Sequence, residues 1–487
     1  MNIRTIESTI NDLLSVVKSQ ITLGFGLASM YVTEPNATKL RTLEVIMISE
    51  TEVIRISSVL EKPEFPSLTP YVPAAGIYER EISEMSKVVP INHPDMRLLK
   101  LRKVYDDGYP LQKSTLEGTF RDVGIPQNDM IGEGIFEIPV GPIHAGVIEP
   151  GHFRFSAAGE PILMMHTYLG YKYRGMEKLF ETPVEKNNTR LAERISGDNA
   201  IAHSMAYLQA LESDTEIPQR AKFIRTIYAE LERMYYLMSG ISGIALDTAL
   251  AVPAAEGYAL KETMLRLNQE VSGHRMLRGT FRPGGVRRDI DDDTVEKIES
   301  GMVHIKLDLE NLFEIIISSP SFLDRAETTG ILTNDLAMKL RTVGPVARAS
   351  GVKYDVRKSH PYAAYDKIKM RVPTETTGDV AARLKVRKEE ISESISIITQ
   401  CINTIEPGDL FCNIETKDGV HIGMTESPRG EVLHCMHVMN GNIWRYKIRD
   451  PSFPNWPAIE YAVLGNIVPD FPVINKSFDL SYSGNDL

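Results

Sequence analysis

Three cysteines are the first residues whose chemistry can be tested from the sequence alone. They are Cys401, Cys412 and Cys435, and no Cys-x-x-Cys pair occurs anywhere in the chain. A conventional iron–sulfur cluster takes four thiolates, usually from closely spaced cysteines. We therefore expect three isolated thiols and no iron–sulfur cluster held by this chain.

Histidines are the second candidates, because imidazole exchanges protons near neutral pH. If Asp198 caps the helix that follows it, Asn199 and His203 lie one turn apart on the same helix face. His144 and His152 belong to a segment that predicts a hairpin, residues 141–152. A single histidine in a protein of this size is often only a structural hydrogen-bond donor, and that alternative stays open.

The elements of the N-terminal part predict a small α+β module. Residues 3–20 carry apolar side chains at helical spacing and predict an amphipathic helix. Residues 21–60 are β-branched and apolar in two runs, which predicts strands. A proline-rich passage, residues 63–73, leads into a predicted helix around residues 77–85. Residues 111–134 lack periodicity and indicate a linker.

The larger C-terminal part predicts a helical core flanked by β-structure. A strand-like block is expected at residues 135–169, long helices at 190–327 and 379–405, and strands with proline-containing turns from 410 onwards. The fold class is therefore α+β. The predicted division is residues 1–112 for the first module, 113–134 for the linker and 135–487 for the second module.

Composition excludes several classes of protein. With 487 residues, of which 43% are hydrophobic and 24% charged, the chain suits a folded protein of two or three domains. Its net charge of −11 argues against a nucleic-acid binder. The most apolar stretch, residues 240–260, contains Asp247, Pro253 and Glu256 and does not suit a membrane span. The first residues do not resemble a signal peptide.

Short motifs in the first module resemble the 30-kDa-type subunit of complex I. They are residues 78–85 (Tyr-Glu-Arg-Glu-Ile-Ser-Glu-Met), 92–95 (Asn-His-Pro-Asp) and 107–113 (Asp-Gly-Tyr-Pro-Leu-Gln-Lys). The second module resembles the large subunit shared by the 49-kDa type of complex I and membrane-bound NiFe hydrogenases. Its motifs, in family order, are residues 141–144 (Gly-Pro-Ile-His), 174–178 (Arg-Gly-Met-Glu-Lys), 282–286 (Arg-Pro-Gly-Gly-Val), 343–351 (Val-Gly-Pro-Val-Ala-Arg-Ala-Ser-Gly) and 426–431 (Glu-Ser-Pro-Arg-Gly-Glu). The fusion of both modules is similar to large subunits of the formate-hydrogenlyase type.

The hydrogenase resemblance includes four positions at which the metal ligands are replaced. NiFe hydrogenases hold their metals with two Cys-x-x-Cys pairs, because nickel and iron need soft thiolates. At the first pair this chain has Ser196 and Asn199, and at the second it has Ser481 and Gly484. Serine and asparagine are hard, weak ligands, and glycine has no side chain. The resemblance therefore implies that the chain holds no metal and has no hydrogenase activity.

The same resemblance implies a quinone in the vacated cavity. Electrons would come from a 4Fe-4S cluster in a neighbouring small subunit. Protons would come from His203, from Asp247 and from one hairpin histidine, with His152 favoured over His144. Asp247 matches a family aspartate that partners the hairpin histidine, fixing its tautomer. The residues expected near the acceptor or at the interface with the cluster-bearing subunit are Arg174, Glu177, Lys178, Ser196 and Asn199.

The implied setting is a peripheral position on the cytoplasmic side of the cell membrane. Antiporter-like membrane subunits would be partners, and NAD and nucleic acids would not be bound directly. Because the triplet Ala202-His203-Ser204 is the hydrogenase version, the acceptor could be a quinone, a sulfur compound or another small molecule.

Two alternatives to quinone reduction remain. One is a non-catalytic scaffold that couples the cluster-bearing arm to the membrane subunits. A tunnel lined by His203 and Asp247 would favour quinone chemistry, and a cavity filled by Tyr482 would favour the scaffold. The other is an active hydrogenase with unusual ligands, which would require stoichiometric nickel.

Overall fold

The N-terminal module is a four-stranded sheet covered by two helices. The structure, a computed structural model, describes residues 3–34, 40–105, 108–113, 120–126, 130, 132–144 and 148–487. The sheet has the order β1-β4-β3-β2 and consists of β1 (Ile3–Ser8), β2 (Gly26–Thr33), β3 (Arg41–Ile48) and β4 (Val53–Leu60). The helices are α1 (Leu13–Thr22) and α2 (Gly76–Ser86). The strands expected within residues 21–60 and the helix around 77–85 are confirmed.

The helix expected at residues 3–20 is wrong in its first half. Residues 3–8 form β1, which pairs in parallel with β4 so that Ile3 lies opposite Val53 and Ile6 opposite Ile56. The helix starts only at Leu13. Isoleucine suits a strand as well as a helix, and pairing with a strand about fifty residues away supplies the backbone hydrogen bonds.

Four short strands pair two by two outside the main sheet of the first module. They are β5 (Glu64–Pro66), β6 (Val89–Ile91), β7 (Lys103–Tyr105) and β8 (Phe120–Asp122). An antiparallel sheet follows, made of β9 (Ile135–Val140), β10 (His152–Ala158) and β11 (Ile162–Tyr168), with β10 in the centre. The strand block expected at residues 135–169 is thus confirmed, and both hairpin histidines lie at the β9–β10 connection.

Helices build the centre of the second module. They are α3 (Met176–Leu179), α4 (Thr189–Ala192), α5 (Ala200–Leu211), α6 (Gln219–Asp247), α7 (Ala251–Ser272), α8 (Asp292–Ile317), α9 (Pro320–Ala326), α10 (Asn334–Lys339), α11 (Gly344–Ala349), α12 (Val356–Ser359) and α13 (Val380–Thr404), with a two-residue ladder of β12 (Phe281–Arg282) and β13 (Gly285–Val286) after α7. Most side chains of α6 are buried, because α5, α7 and α13 pack around it.

The C-terminal part is a sheet followed by helices. Strands β14 (Gly419–Ser427), β15 (Gly430–Met439) and β16 (Asn442–Arg449) form an antiparallel meander. The expectation of strands and turns to the end is wrong, since α14 (Ser452–Ala462), α15 (Phe471–Phe478) and α16 (Tyr482–Asp486) follow. Pro454 and Pro472 lie in first helical turns, where a missing N–H breaks no helical hydrogen bond.

The two modules pack against each other. The fold class α+β is confirmed. Phe453 of α14 packs into the core of the N-terminal module, with its ring centroid 5.2 Å from that of Tyr78. Buried Lys447 of β16 pairs with Glu81 of α2 across the same boundary. Within the described part of the chain, no helix is long and apolar enough to cross a membrane.

Candidate functional site

The four positions at which the family resemblance predicts that hydrogenase cysteines are replaced come together in space. Ser196 precedes α5, and Ser481 precedes α16. Their Oγ atoms lie 3.0 Å apart although 285 residues separate them. The Gly484 amide donates to the Ser481 hydroxyl at 2.9 Å. We call Ser196, Asn199, Ser481 and Gly484 the ligand-position cluster.

A largely buried ion pair occupies the space beside this cluster. The Arg429 guanidinium donates to both carboxylate oxygens of Asp198, at 3.0 and 2.8 Å. The Ser196 hydroxyl donates to the same carboxylate at 2.7 Å. In the orientation that satisfies its amide, Asn199 accepts from Arg429 at 3.2 Å. Burial raises the pKa of Asp198, but Arg429 outweighs it and the net shift is downward, so the pair is charged at neutral pH.

The expected capping of α5 by Asp198 is wrong. The side chain of Asp198 is directed to Arg429, and the carboxylate of Glu232 on α6 accepts from the amides of Ile201 and Ala202, at 2.8 and 3.0 Å. A residue distant in sequence thus supplies the acceptor for the first turn of α5. Burial raises the pKa of Glu232 to about 8, against the lowering effect of the two amide bonds.

His203 is the centre of a buried hydrogen-bonded chain. Its Nε2 lies 3.0 Å from Asp450 Oδ2, and its Nδ1 lies 3.0 Å from His434 Nε2. The other ring nitrogen of His434, Nδ1, lies 2.7 Å from the Tyr446 hydroxyl. All four side chains are fully buried. Sequence reasoning identified only His203, because its partners lie more than 230 residues further along the chain.

The hairpin histidines bind the hairpin's own backbone. His144 Nε2 lies 2.7 Å from the Gly151 carbonyl oxygen, and His152 Nδ1 lies 3.1 Å from the Gly141 carbonyl oxygen. Burial lowers the pKa of His152, so its ring is neutral at pH 7. Because Gly151 packs on Tyr482, the base of the hairpin lies directly beside the segment that contains Ser481 and Gly484.

Asp247 is the last residue of α6. In the described residues, no hydrogen bond or ion pair joins its carboxylate to a histidine, so the expected partnership is not present. Burial raises its pKa, and the charges of Lys476 and Arg325 oppose that shift. Lys476 also pairs with Asp479 at 2.9 Å, and the Asp479 carbonyl accepts from Arg429. Lys476, Asp479 and Arg429 therefore form a series of interactions between Asp247 and the ligand-position cluster.

The three charged residues of the motif at residues 174–178 make different contacts. Arg174 donates to the carbonyls of Ile195 and Ser483, at 2.6 and 3.0 Å, and thereby ties the two halves of the ligand-position cluster together. Glu177 is buried between Arg445 and Lys447, with oxygen–nitrogen distances of 2.8 and 2.9 Å. Lys178 pairs with Glu181 and donates to the Gln112 carbonyl. An interface with another subunit remains a prediction for all three.

The side chain of Tyr482, which directly follows Ser481, is buried beside the cluster. It is 6% exposed, and its ring packs against Trp456 with centroids 5.0 Å apart. A cavity of about 880 Å³ lies elsewhere, and residues such as Glu212, Ser213, Lys222 and His421 line it.

The cysteines lie apart from the cluster. Cys401 and Cys435 are buried and Cys412 is partly buried, and burial raises the pKa of each thiol. Over the ranges that the structure describes, no three His, Cys, Asp or Glu side chains are arranged to hold a metal ion.

Comparison with known proteins confirms the family resemblance. The respiratory-chain NADH dehydrogenase 49 Kd subunit family matches residues 247–421 and 410–486, and the 30 Kd subunit family matches residues 3–119. Formate hydrogenlyase subunit 5 of Escherichia coli (strain K12) is 33% identical over 89% of this chain and 79% of that protein. Hydrogenase-4 component G of the same organism is 33% identical over 87% and 76%. The C/D polypeptide of NADH-quinone oxidoreductase from Phocaeicola vulgatus is 29% identical over 93% and 91%.

Proposed function

The chain belongs to the complex I family of fused 30-kDa and 49-kDa subunits related to formate hydrogenlyase subunit 5, and within such a multi-subunit oxidoreductase we propose that it passes electrons from a neighbouring iron–sulfur cluster to quinone, without hydrogenase activity. The protein would lie on the cytoplasmic side of the membrane through its partners. These would be a small subunit that holds a 4Fe-4S cluster and antiporter-like membrane subunits.

The absence of hydrogenase activity is inferred from the donor set at the ligand-position cluster. Two hydroxyls, one amide and one glycine meet where thiolates would be needed, and Ser196 and Ser481 already bond each other. The surroundings fit this set of residues: a Cβ placed on Gly484 would lie 2.5 Å from the Asp450 carboxyl carbon. A cysteine at position 484 would therefore have to displace Asp450. The residues present do not fit a NiFe centre.

Quinone reduction requires two electrons and two protons, and the protons must come from groups within hydrogen-bond reach of the carbonyl oxygens. The segment 481–484 has proton-exchanging groups on both sides. On one side Gly484 packs on Asp450, the partner of His203. On the other side Tyr482 packs on Gly151, whose carbonyl oxygen lies 2.7 Å from His144 Nε2 and which directly precedes His152. An acceptor at this segment would lie within reach of both groups.

One observation favours the second candidate, a non-catalytic scaffold. Tyr482 is packed between Trp456 and Gly151, in the space that a quinone headgroup would need near the cluster. Quinone reduction therefore requires Tyr482 to move aside. In a scaffold, the same ring would simply stabilise the contact between the hairpin and the C-terminal helices.

The deciding experiment uses the intact complex, extracted gently from its native membranes. A low-potential electron donor is supplied, reduction of a quinone analogue is followed, and nickel is determined on the same sample. Reduction without nickel supports the proposed function. No reduction without nickel favours the scaffold or another acceptor, and stoichiometric nickel would refute the argument from the donor set.

A further inference from the structure

Four buried side chains form an unbroken line of hydrogen bonds from the ligand-position cluster into the protein. The line runs from Asp450 through His203 and His434 to the Tyr446 hydroxyl, with distances of 3.0, 3.0 and 2.7 Å. Both nitrogens of each imidazole are used. Every group in the line can both give and accept a proton, because each is a carboxyl, an imidazole or a phenol.

The two ends of the line lie in different surroundings. Asp450 lies directly beneath Gly484, whose missing side chain leaves the carboxylate against the cluster. At the other end, the Tyr446 ring stacks on Phe180 with centroids 4.3 Å apart, and its centroid is 6.2 Å from that of Tyr207. The Tyr207 hydroxyl accepts from the amide of Asn188, which follows the exposed segment 185–187. The line therefore leads from the cluster towards this surface segment.

One arrangement of protons gives every hydrogen bond in the line one donor and one acceptor. The Tyr446 hydroxyl donates to His434 Nδ1, His434 Nε2 donates to His203 Nδ1, and His203 Nε2 donates to the Asp450 carboxylate. His434 is neutral here, because burial lowers its pKa well below the usual value. Burial raises the pKa of Asp450, but the hydrogen bonds from His203 and Ser452 and the charge of Arg429 together outweigh it, so the carboxylate is charged.

We propose that Asp450, His203, His434 and Tyr446 form a proton relay that delivers protons to an acceptor bound at the ligand-position cluster. The inference rests on the proposed function and extends it, since it assigns the path along which the protons travel. His434 and Tyr446 are positioning residues that act through His203, and Asp450 is the group that faces the acceptor.

Each complete set of transfers along the relay delivers one proton to Asp450. The Tyr446 proton moves to His434 Nδ1, the His434 Nε2 proton moves to His203 Nδ1, and the His203 Nε2 proton moves to Asp450. Tyr446 regains a proton from solvent water on the side of Tyr207, and Asp450 gives its proton to the reduced acceptor. Each broken O–H or N–H bond is replaced by one new bond, and both imidazole rings must turn before the next proton passes.

The substitution His434→Gln separates a relay from a purely structural role. A glutamine amide can still donate to His203 and accept from Tyr446, but it cannot take a proton on one side and release it on the other. Tyr446→Phe is a second, milder variant, since it keeps the stacking on Phe180 and removes only the hydroxyl. His437→Gln is the matched control, because His437 lies on the same strand and makes a similar bond to a tyrosine, Tyr31, at 2.8 Å.

The test compares these variants in the intact complex. Reduction of the iron–sulfur cluster by a low-potential donor is followed by electron paramagnetic resonance. Turnover with a quinone analogue is then measured in H₂O and in D₂O. We expect normal cluster reduction in every complex. Turnover should fall by roughly 10²-fold in His434→Gln and Tyr446→Phe, with a larger solvent isotope effect than in the wild type. His437→Gln should retain wild-type values.

The possible failures are distinguishable. Wild-type turnover and isotope effect in His434→Gln, within an assembled complex, would overturn the relay and leave quinone reduction intact. An equal loss in His437→Gln would also overturn it, because the effect would then be structural. If the wild-type complex reduces no quinone analogue, the proposed acceptor is wrong. The same variants are then compared with polysulfide as the acceptor, and an unchanged rate in His434→Gln overturns the relay there too.

Discussion

The ion pair beside the ligand-position cluster offers a direct test of how that cluster is held together. Asp198→Asn keeps the size and shape of the side chain but removes the charge that Arg429 faces. Arg429 is 7% exposed and would remain charged in the variant, since a guanidinium group stays protonated at any ordinary pH. The variant therefore leaves a buried guanidinium without its carboxylate.

The expected loss follows from the remaining contacts. Removing one partner of a buried ion pair costs about 3–5 kcal/mol. Here Arg429 keeps its bond to the Asp479 carbonyl, and its guanidinium lies 4.1 Å from the centroid of the Tyr236 ring. The Asp198 side chain is also 35% exposed, which lets water replace part of the interaction. We therefore expect a local destabilisation of about 2–3 kcal/mol.

Amide hydrogen exchange in the complex measures this loss at the site itself. A local destabilisation of about 2–3 kcal/mol accelerates exchange roughly 30- to 150-fold where opening limits it. The effect should appear in peptides that cover residues 194–211 and 476–487. Asp293→Asn is the control, because its pair with Lys297 is an exposed pair one helical turn apart and contributes only a few tenths of a kcal/mol. A change of less than about threefold in Asp198→Asn would refute the reasoning.

Three further predictions concern the same region. Gly484→Ala places a methyl group against Asp450, and we expect acceptor reduction to fall at least about tenfold; Gly124→Ala, which meets no atom within 4 Å, should retain wild-type turnover. The raised pKa of Glu232 means that the folded state binds its proton more tightly than the unfolded state. The stability of the α5 N-terminus should therefore fall as pH rises from about 5 to about 8, and then level off. Hydrogen exchange corrected for its intrinsic pH dependence should show this trend, and Glu232→Gln should abolish it. Asp247→Asn should lower acceptor reduction severely in an assembled complex, and unchanged turnover would remove Asp247 from the mechanism.

Local patterns were sufficient for most of the elements. The β-branched runs at residues 42–48 and 53–56 form β3 and β4, and the helical pattern at 379–405 forms α13 with Asp379 as its N-cap. Local patterns failed where distant pairing or position in a helix decided the outcome. Residues 3–8 became a strand because β4 offers them hydrogen bonds, and Pro454 and Pro472 lie in first helical turns instead of in turns between strands.

The sequence by itself was enough to predict which chemistry is missing. The motifs place Ser196, Asn199, Ser481 and Gly484 where the resemblance predicts thiolate ligands, and a residue type can be read without knowing where its side chain points. The sequence could also single out His203, because its position within a family motif is local information.

Only the tertiary structure decided what surrounds those positions. The partners of His203 lie on β15 and beyond the end of β16, and the sheet register that aligns them is not encoded in any local spacing. The same holds for Glu232, which replaces Asp198 as the acceptor for α5, and for Asp247, which lies near Lys476 and makes no bond to a described histidine. Hydrogen bonds act over about 3 Å, so the pairing of distant residues is fixed only when packing brings their atoms together.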